Sequence, residues 1–308
     1  MTAIAAPTIP VRRQNRRLLP RWTMAWPALA WWTFFFIIPV LWILVYSLGA
    51  KPAADVAGPV SLETLSFSNY GEALTGVFFK VFMITMRTAG LGTILAALVG
   101  FPVAYALAMH VPERWRSILV FLLILPYWTS FLLRTFAWRI ILAPQGTLSD
   151  VLQALGFING RLLILDTNAA VQLGVVYNYL PVMILPIYVA LERIDRSLLR
   201  ASMDLGAGPF RTFIQVTLPL ALPGLLGGLL LTFILAAGDY VVPTILGGTK
   251  GLMVGNLVAT QILASQNLPL GAAMALMLIG LLALIVILAG ALLWSARQIF
   301  RVTRGAPL

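Results

Sequence analysis

The 308-residue chain contains no cysteine and only one histidine, His110. Disulfide staples and thiol nucleophiles are excluded, and so is a metal centre built from several imidazoles. Any Ser-His-Asp relay would have to form around His110, which stands beside Pro112 and Glu113 and reads as a residue at a membrane boundary. No GxxxxGK[ST] occurs, and GGTKG at 247–251 has the wrong spacing, so the chain has no phosphate-cradling loop of its own. Charge is scarce too: Asp, Glu, Lys and Arg make up 10% of the residues, against about a quarter in soluble domains. Strands of alternating apolar and polar residues, which a membrane barrel needs, are also missing; residues 281–294, LLALIVILAGALLW, do not alternate.

What the chain has instead is hydrocarbon. Hydrophobic residues make up 60% and the mean hydropathy is +0.95, which belongs in a bilayer. Stretches long enough to cross about 30 Å of hydrocarbon as helices run over 27–48, 78–109, 117–142, 169–191, 219–241 and 271–295. Backbone polar groups in lipid must be satisfied internally, so the expected fold class is an all-α polytopic membrane protein with six transmembrane helices. Six spans put both termini on one side. That side would carry Arg12, Arg13, Arg16, Arg17, Arg21, Arg114, Arg116, Arg193, Arg196, Arg200, Arg211, Arg297, Arg301 and Arg304, against Lys51, Lys80, Arg161 and Lys250 on the other. The bias places both ends in the cytoplasm. The net charge of +11 is thus mostly topology, scattered over segments that flank the membrane, and no nucleic-acid partner is expected.

Residues 1–25 read as a cytoplasmic tail, 26–298 as a single six-helix domain, and 299–308 as a second cytoplasmic tail. The arginines before the first span imitate a signal peptide, but no small-residue cleavage site follows, and the span reads as an uncleaved anchor. Residues 50–76 form a polar outward loop. The second apolar stretch exceeds a bilayer crossing at about 1.5 Å per residue and is expected to project outward around Gly76 to Phe82. GTLSDVLQALGF at 146–157 predicts a short amphipathic helix ended by Gly156. The segment between the last two spans predicts one short helix on the outer surface, with Gly247, Gly251 and Gly255 serving either close packing or a hinge.

The stretch Leu199–Pro219, LRASMDLGAGPFRTFIQVTLP, is a charged island between apolar runs. It predicts a helix, a glycine break, a second short helix, and a proline that opens the next span. Arg200-Ala201-Ser202, then Asp204-Leu205-Gly206-Ala207, then Val216 and Leu218-Pro219 resemble the cytoplasmic loop of binding-protein-dependent ABC importer permeases. That pattern runs Glu-Ala-Ala, three residues, Gly, nine residues, Ile, one residue, Leu-Pro. Gly206, Leu218 and Pro219 fall in register; Val216 replaces Ile, Arg200 replaces Glu and Ser202 replaces the second Ala, and Asp204 supplies acidity one turn later. The resemblance implies an ATPase-coupling loop.

Further segments resemble the spermidine/putrescine permeases of that class. They are GFPVAY at 100–105, PYWTS at 126–130 with RTFAW at 134–138, YNYLP at 177–181 with LPIY at 185–188, and GDYVVP at 238–243 with LGG at 246–248. Together they cover roughly 80–295, with the core permease region over about 80–296. The resemblance implies a type I ABC importer permease fold in a bacterial inner membrane. It implies four kinds of partner: a second homologous permease subunit, two ATPase subunits, an extracytoplasmic substrate-binding protein, and membrane lipid. ATP and magnesium would then bind the ATPase, and this chain would carry no cofactor, metal or catalytic site.

Asp239 is an acid at the outer end of the fifth span. It fits either a translocation path for a cationic solute, with Tyr240 offering an aromatic face, or a structural role as a helix cap or as an ion-pair partner of Arg134 or Arg139. Tyr127, Trp128, Tyr177 and Tyr179 could line the same path or anchor the protein at the interfaces. Pro102, Pro181 and Pro186 could hinge the helices or merely set their packing. The alternatives to a polyamine importer are a secondary transporter driven by an ion gradient, which would call for more acids deep in the spans, and an ABC permease for another solute such as an opine or amino-acid derivative.

Overall fold

The computed structural model describes residues 21–52, 58–74, 76–248 and 251–304; the N-terminal tail reading falls mostly outside these. The chain divides into two units at Val45. The first is helical over its described residues, from Arg21, and holds the greater part of the apolar helix α1 (Ala25–Leu48). The second unit contains α2 (Ser68–Leu74), α3 (Val77–His110), α4 (Glu113–Trp128), α5 (Phe131–Ile141) and α6 (Thr147–Ala154). It continues with α7 (Asn168–Glu192), α8 (Arg196–Asp204), α9 (Pro209–Ala237), α10 (Val241–Leu246), α11 (Val254–Ala264) and α12 (Leu268–Arg304).

Among the described residues five helices are long and apolar enough to cross a membrane, and α4 with α5 makes a sixth span if the bent pair counts as one. The pair turns by 88°, where a single rod over 117–142 was expected. The cause lies in the sequence PYWTS: Pro126 has no N–H to continue the ladder, and the Thr129 hydroxyl bonds back to the Pro126 carbonyl at 2.6 Å. Such breaks survive in a membrane where protein satisfies the freed backbone.

The core is built on α3, α7 and α9, which pack against one another. Small residues let them approach. A Cβ on Gly92 would lie 2.6 Å from Val175 of α7, and one on Gly228 would lie 3.0 Å from the Met183 carbonyl, the close small-residue packing that membrane helices use. Pro102, Pro181 and Pro186 sit inside α3 and α7, which run on through them.

Three other readings change. The 50–76 segment is more than a loop: α2 docks through buried Asn69, whose amide donates to the carbonyls of Ser47 at 2.9 Å and Gly49 at 2.8 Å. Pro219 does not open a span, because α9 runs unbroken from Pro209. The backbone widens to π turns over Phe213–Thr217 just before Pro219, whose missing N–H would leave an ordinary turn unbonded. The region after the fifth span forms two helices rather than one, and α10 is buried rather than superficial, with Val242 and Leu246 inserted where Gly174 leaves room. Gly247 and Gly251 touch each other and Val171, so close packing is their role. The amphipathic helix expected at 146–157 is α6, and Gly156 follows it at φ +75°.

Candidate translocation path and coupling loop

Asp239 follows α9 and is only 6% exposed. Its Oδ1 accepts from the amides of Val241 at 2.8 Å and Val242 at 3.2 Å, capping α10. The cap uses one oxygen. Oδ2 is buried and meets no hydrogen-bond partner; Tyr179 stands close enough to couple to this carboxylate, but no hydrogen bond to Oδ2 closes. A buried acceptor without a partner is costly, which sets this oxygen apart from an ordinary cap.

The surrounding turn is clamped from α11. Asn256 donates to the Tyr240 carbonyl at 3.0 Å and to the Thr244 hydroxyl at 2.5 Å, and its Oδ1 accepts from Met253 N at 3.1 Å. Neither arginine weighed as a partner pairs with Asp239. Arg139 pairs with Asp166 at 3.7 Å and donates to the Ile245 carbonyl. Arg134 lies over aromatic rings instead, its guanidinium carbon 4.6 Å from the Tyr127 centroid and 5.7 Å from that of Phe131.

The helix break brings Tyr127 and Arg134 together, and Tyr127 reaches across to donate to the Asn178 carbonyl of α7 at 2.5 Å. Asn178 is itself buried: its Nδ2 donates to Thr135 at 3.4 Å, and its Oδ1 has no partner. Tyr179 is buried beside it. The other candidates turn away. Trp128 is 74% exposed and stacks edge-on with Phe121, Tyr177 packs edge-on against Trp138, and Tyr240 is exposed. Of the six residues proposed for a path, the structure gathers Asp239, Tyr127 and Tyr179. Asn178 was missed, although a lone amide inside an apolar run was a visible signal.

The coupling loop has its own geometry. Asp195 opens α8 by accepting from Ser197 N at 2.8 Å, which holds its carboxyl below the usual carboxylate range. The helix ends in a Schellman turn: Gly206 N bonds the Met203 carbonyl at 2.9 Å, Ala207 N bonds that of Ser202 at 3.1 Å, and Gly206 sits at φ +86°. Ser202 bonds the Thr212 hydroxyl at 3.0 Å, tying α8 to the start of α9. Arg200, Ala201 and Asp204 are exposed along α8, Ala207 is half-buried, and Leu218 and Pro219 lie inside α9. Leu205 is 89% exposed and Phe210 75%, so two large apolar side chains flank the turn uncovered.

A helical membrane domain whose spans are joined by an exposed helix-turn element is the architecture of ABC importer permeases. A bacterial ABC transporter involved in the import of the acidic polysaccharide alginate superposes with a TM-score of 0.68 over 88% of this chain and 93% of that one, at 13% identity. The MetNI methionine ABC transporter gives 0.54 over 70% and 94%, at 19% identity. These likenesses are of fold. Residues 98–302 match the family of binding-protein-dependent transport system inner membrane components, and the chain belongs to that family. Its relatives include spermidine/putrescine transport system permease proteins PotB. That of Haemophilus influenzae is 36% identical over 83% of this chain and 88% of the relative, and that of Escherichia coli 35% over 79% and 86%. The inner membrane ABC transporter permease protein YdcU of Escherichia coli is 36% identical over 71% and 74%.

Proposed function

We propose that this chain is the permease subunit of an ATP-driven importer that carries a polyamine, spermidine or putrescine, into the cytoplasm. It works with a second homologous permease, two ATPase subunits and an extracytoplasmic binding protein, and both of its termini are cytoplasmic. The observation that carries the substrate reading is the kinship to spermidine/putrescine permeases over most of the chain. The site is consistent with it: an ammonium group brought to Asp239 would supply the donor that Oδ2 lacks, and the Tyr179 ring would offer an aromatic face.

Energy enters through α8 and the turn after it. Leu205 and Phe210 present apolar surface to the ATPase, and the Ser202–Thr212 bond carries its movement into α9, which ends two residues before Asp239. ATP and magnesium bind in the partner.

Uptake of radiolabelled putrescine and spermidine tests both parts, in cells that carry the whole transporter and no other polyamine importer. Uptake of at least one is expected, and Asp239→Asn should reduce it at matched membrane expression. Absence of uptake of both by the natural sequence would overturn the polyamine reading. Equal uptake by the variant would remove Asp239 from the path.

A further inference from the structure

Arg134 is a cation that no carboxylate holds. Arg134 takes no part in the ion pairs Arg116–Glu192 and Arg139–Asp166, and its Nε is buried with no hydrogen-bond partner. Its guanidinium rests instead on the faces of Tyr127 and Phe131, the kind of surface that takes an organic cation. Two acceptors lie in the same neighbourhood without donors, Asn178 Oδ1 and Asp239 Oδ2. Tyr179 links the parts: its ring lies 6.2 Å from that of Phe131, over which Arg134 also rests. A structural arginine with a buried Nε would be expected to grip a carboxylate bidentately. This one rests on rings, in the first turn of α5 just after the helix break.

We propose that Arg134 is a specificity-determining residue, a tethered cation that occupies the aromatic face at Tyr127 which a substrate ammonium group must take on its way to Asp239. The inference rests on the reading of Asp239 as part of the path. A cationic solute displaces the guanidinium by charge and by competition for the same rings. A neutral solute does neither, so Arg134 stays in place and the path stays shut. The side chain therefore works as a plug that a cation displaces and a neutral solute does not.

The test uses the assembled transporter in liposomes and measures ATP hydrolysis without binding protein or polyamine, per assembled complex. Arg134→Gln should raise this resting turnover by about threefold or more, as expected when a cation–π contact no longer has to be broken. Arg134→Lys, which keeps the charge, should stay near the natural rate, and Tyr127→Leu, which removes the ring, should behave like Arg134→Gln. An unchanged or lower rate in Arg134→Gln and Tyr127→Leu overturns the proposal, as does an Arg134→Lys rate as high as that of Arg134→Gln. Putrescine uptake by Asp239→Asn is read alongside. If uptake falls while resting turnover of Arg134→Gln is unchanged, the plug fails alone; if Asp239→Asn takes up putrescine normally, the path on which it rests fails.

Discussion

Gly206 and Asp195 show how single residues shape the coupling helix. Gly206 has open space around its Cα, so a side chain there would meet no neighbour; the obstacle is φ +86°, which costs an ordinary L-residue about 1–2 kcal/mol. Gly206→Val should therefore loosen the turn and reduce the amount of ATPase that co-purifies in detergent, and Gly206→Asn should do so less, since Asn tolerates the left-handed region. Asp195 carries a pH signature. Its carboxyl is held below the ordinary range by the Ser197 amide, with Arg200 adding to the effect. A depressed folded pKa contributes stability above the unfolded carboxylate value, and that stability is lost as pH falls through the folded value. The first turn of α8 should thus lose exchange protection, taken relative to the intrinsic amide rate at each pH, as acid is added below the usual carboxylate range, and Asp195→Ala should be poorly protected at every pH and lose that dependence.

Helix contacts decide what holds the membrane core together. Gly92 lies where α3 meets Val175 of α7, and a leucine there must push the helices apart or bend out of its rotamer. Overpacking of this kind costs about 1–3 kcal/mol, so Gly92→Leu should lower the thermal midpoint of the purified protein, while Gly90→Leu, at a position with nothing near its Cβ, should not. The spans themselves were legible because long apolar runs have one stable form in lipid. The 88° break was not, since apolar residues continue through 117–142 and Pro126 is compatible with a mild kink. Nor was the burial of α10: VVPTIL is short and flanked by glycines, and only the gap at Gly174, a tertiary feature, shows where it goes. Within the site, Asp239 was legible as chemistry but its two oxygens were not separable. Tyr177 and Tyr179 looked equivalent, yet two positions apart on a helix they point in nearly opposite directions; one faces the core and the other does not.

At the scale of the whole molecule, the orientation rests on the arginines rather than on any contact. Fourteen lysines and arginines flank the side assigned to the cytoplasm and four the other, and this bias governs insertion. The absence of cysteine makes the assignment directly measurable, because any introduced thiol is the only one in the chain. Ser197 lies exposed on α8 and Ser265 is exposed just before α12, on opposite sides of the proposed topology. In intact spheroplasts a membrane-impermeant maleimide should label Ser265→Cys and leave Ser197→Cys unmodified, and in inside-out vesicles the pattern should reverse. Labelling of both from one side would mean that the number of crossings between them is even, which removes α9 as a single span. Labelling of Ser197→Cys alone from outside would invert the protein, put the α8 turn beyond the reach of a cytoplasmic ATPase, and leave Leu205 and Phe210 without the partner proposed for them.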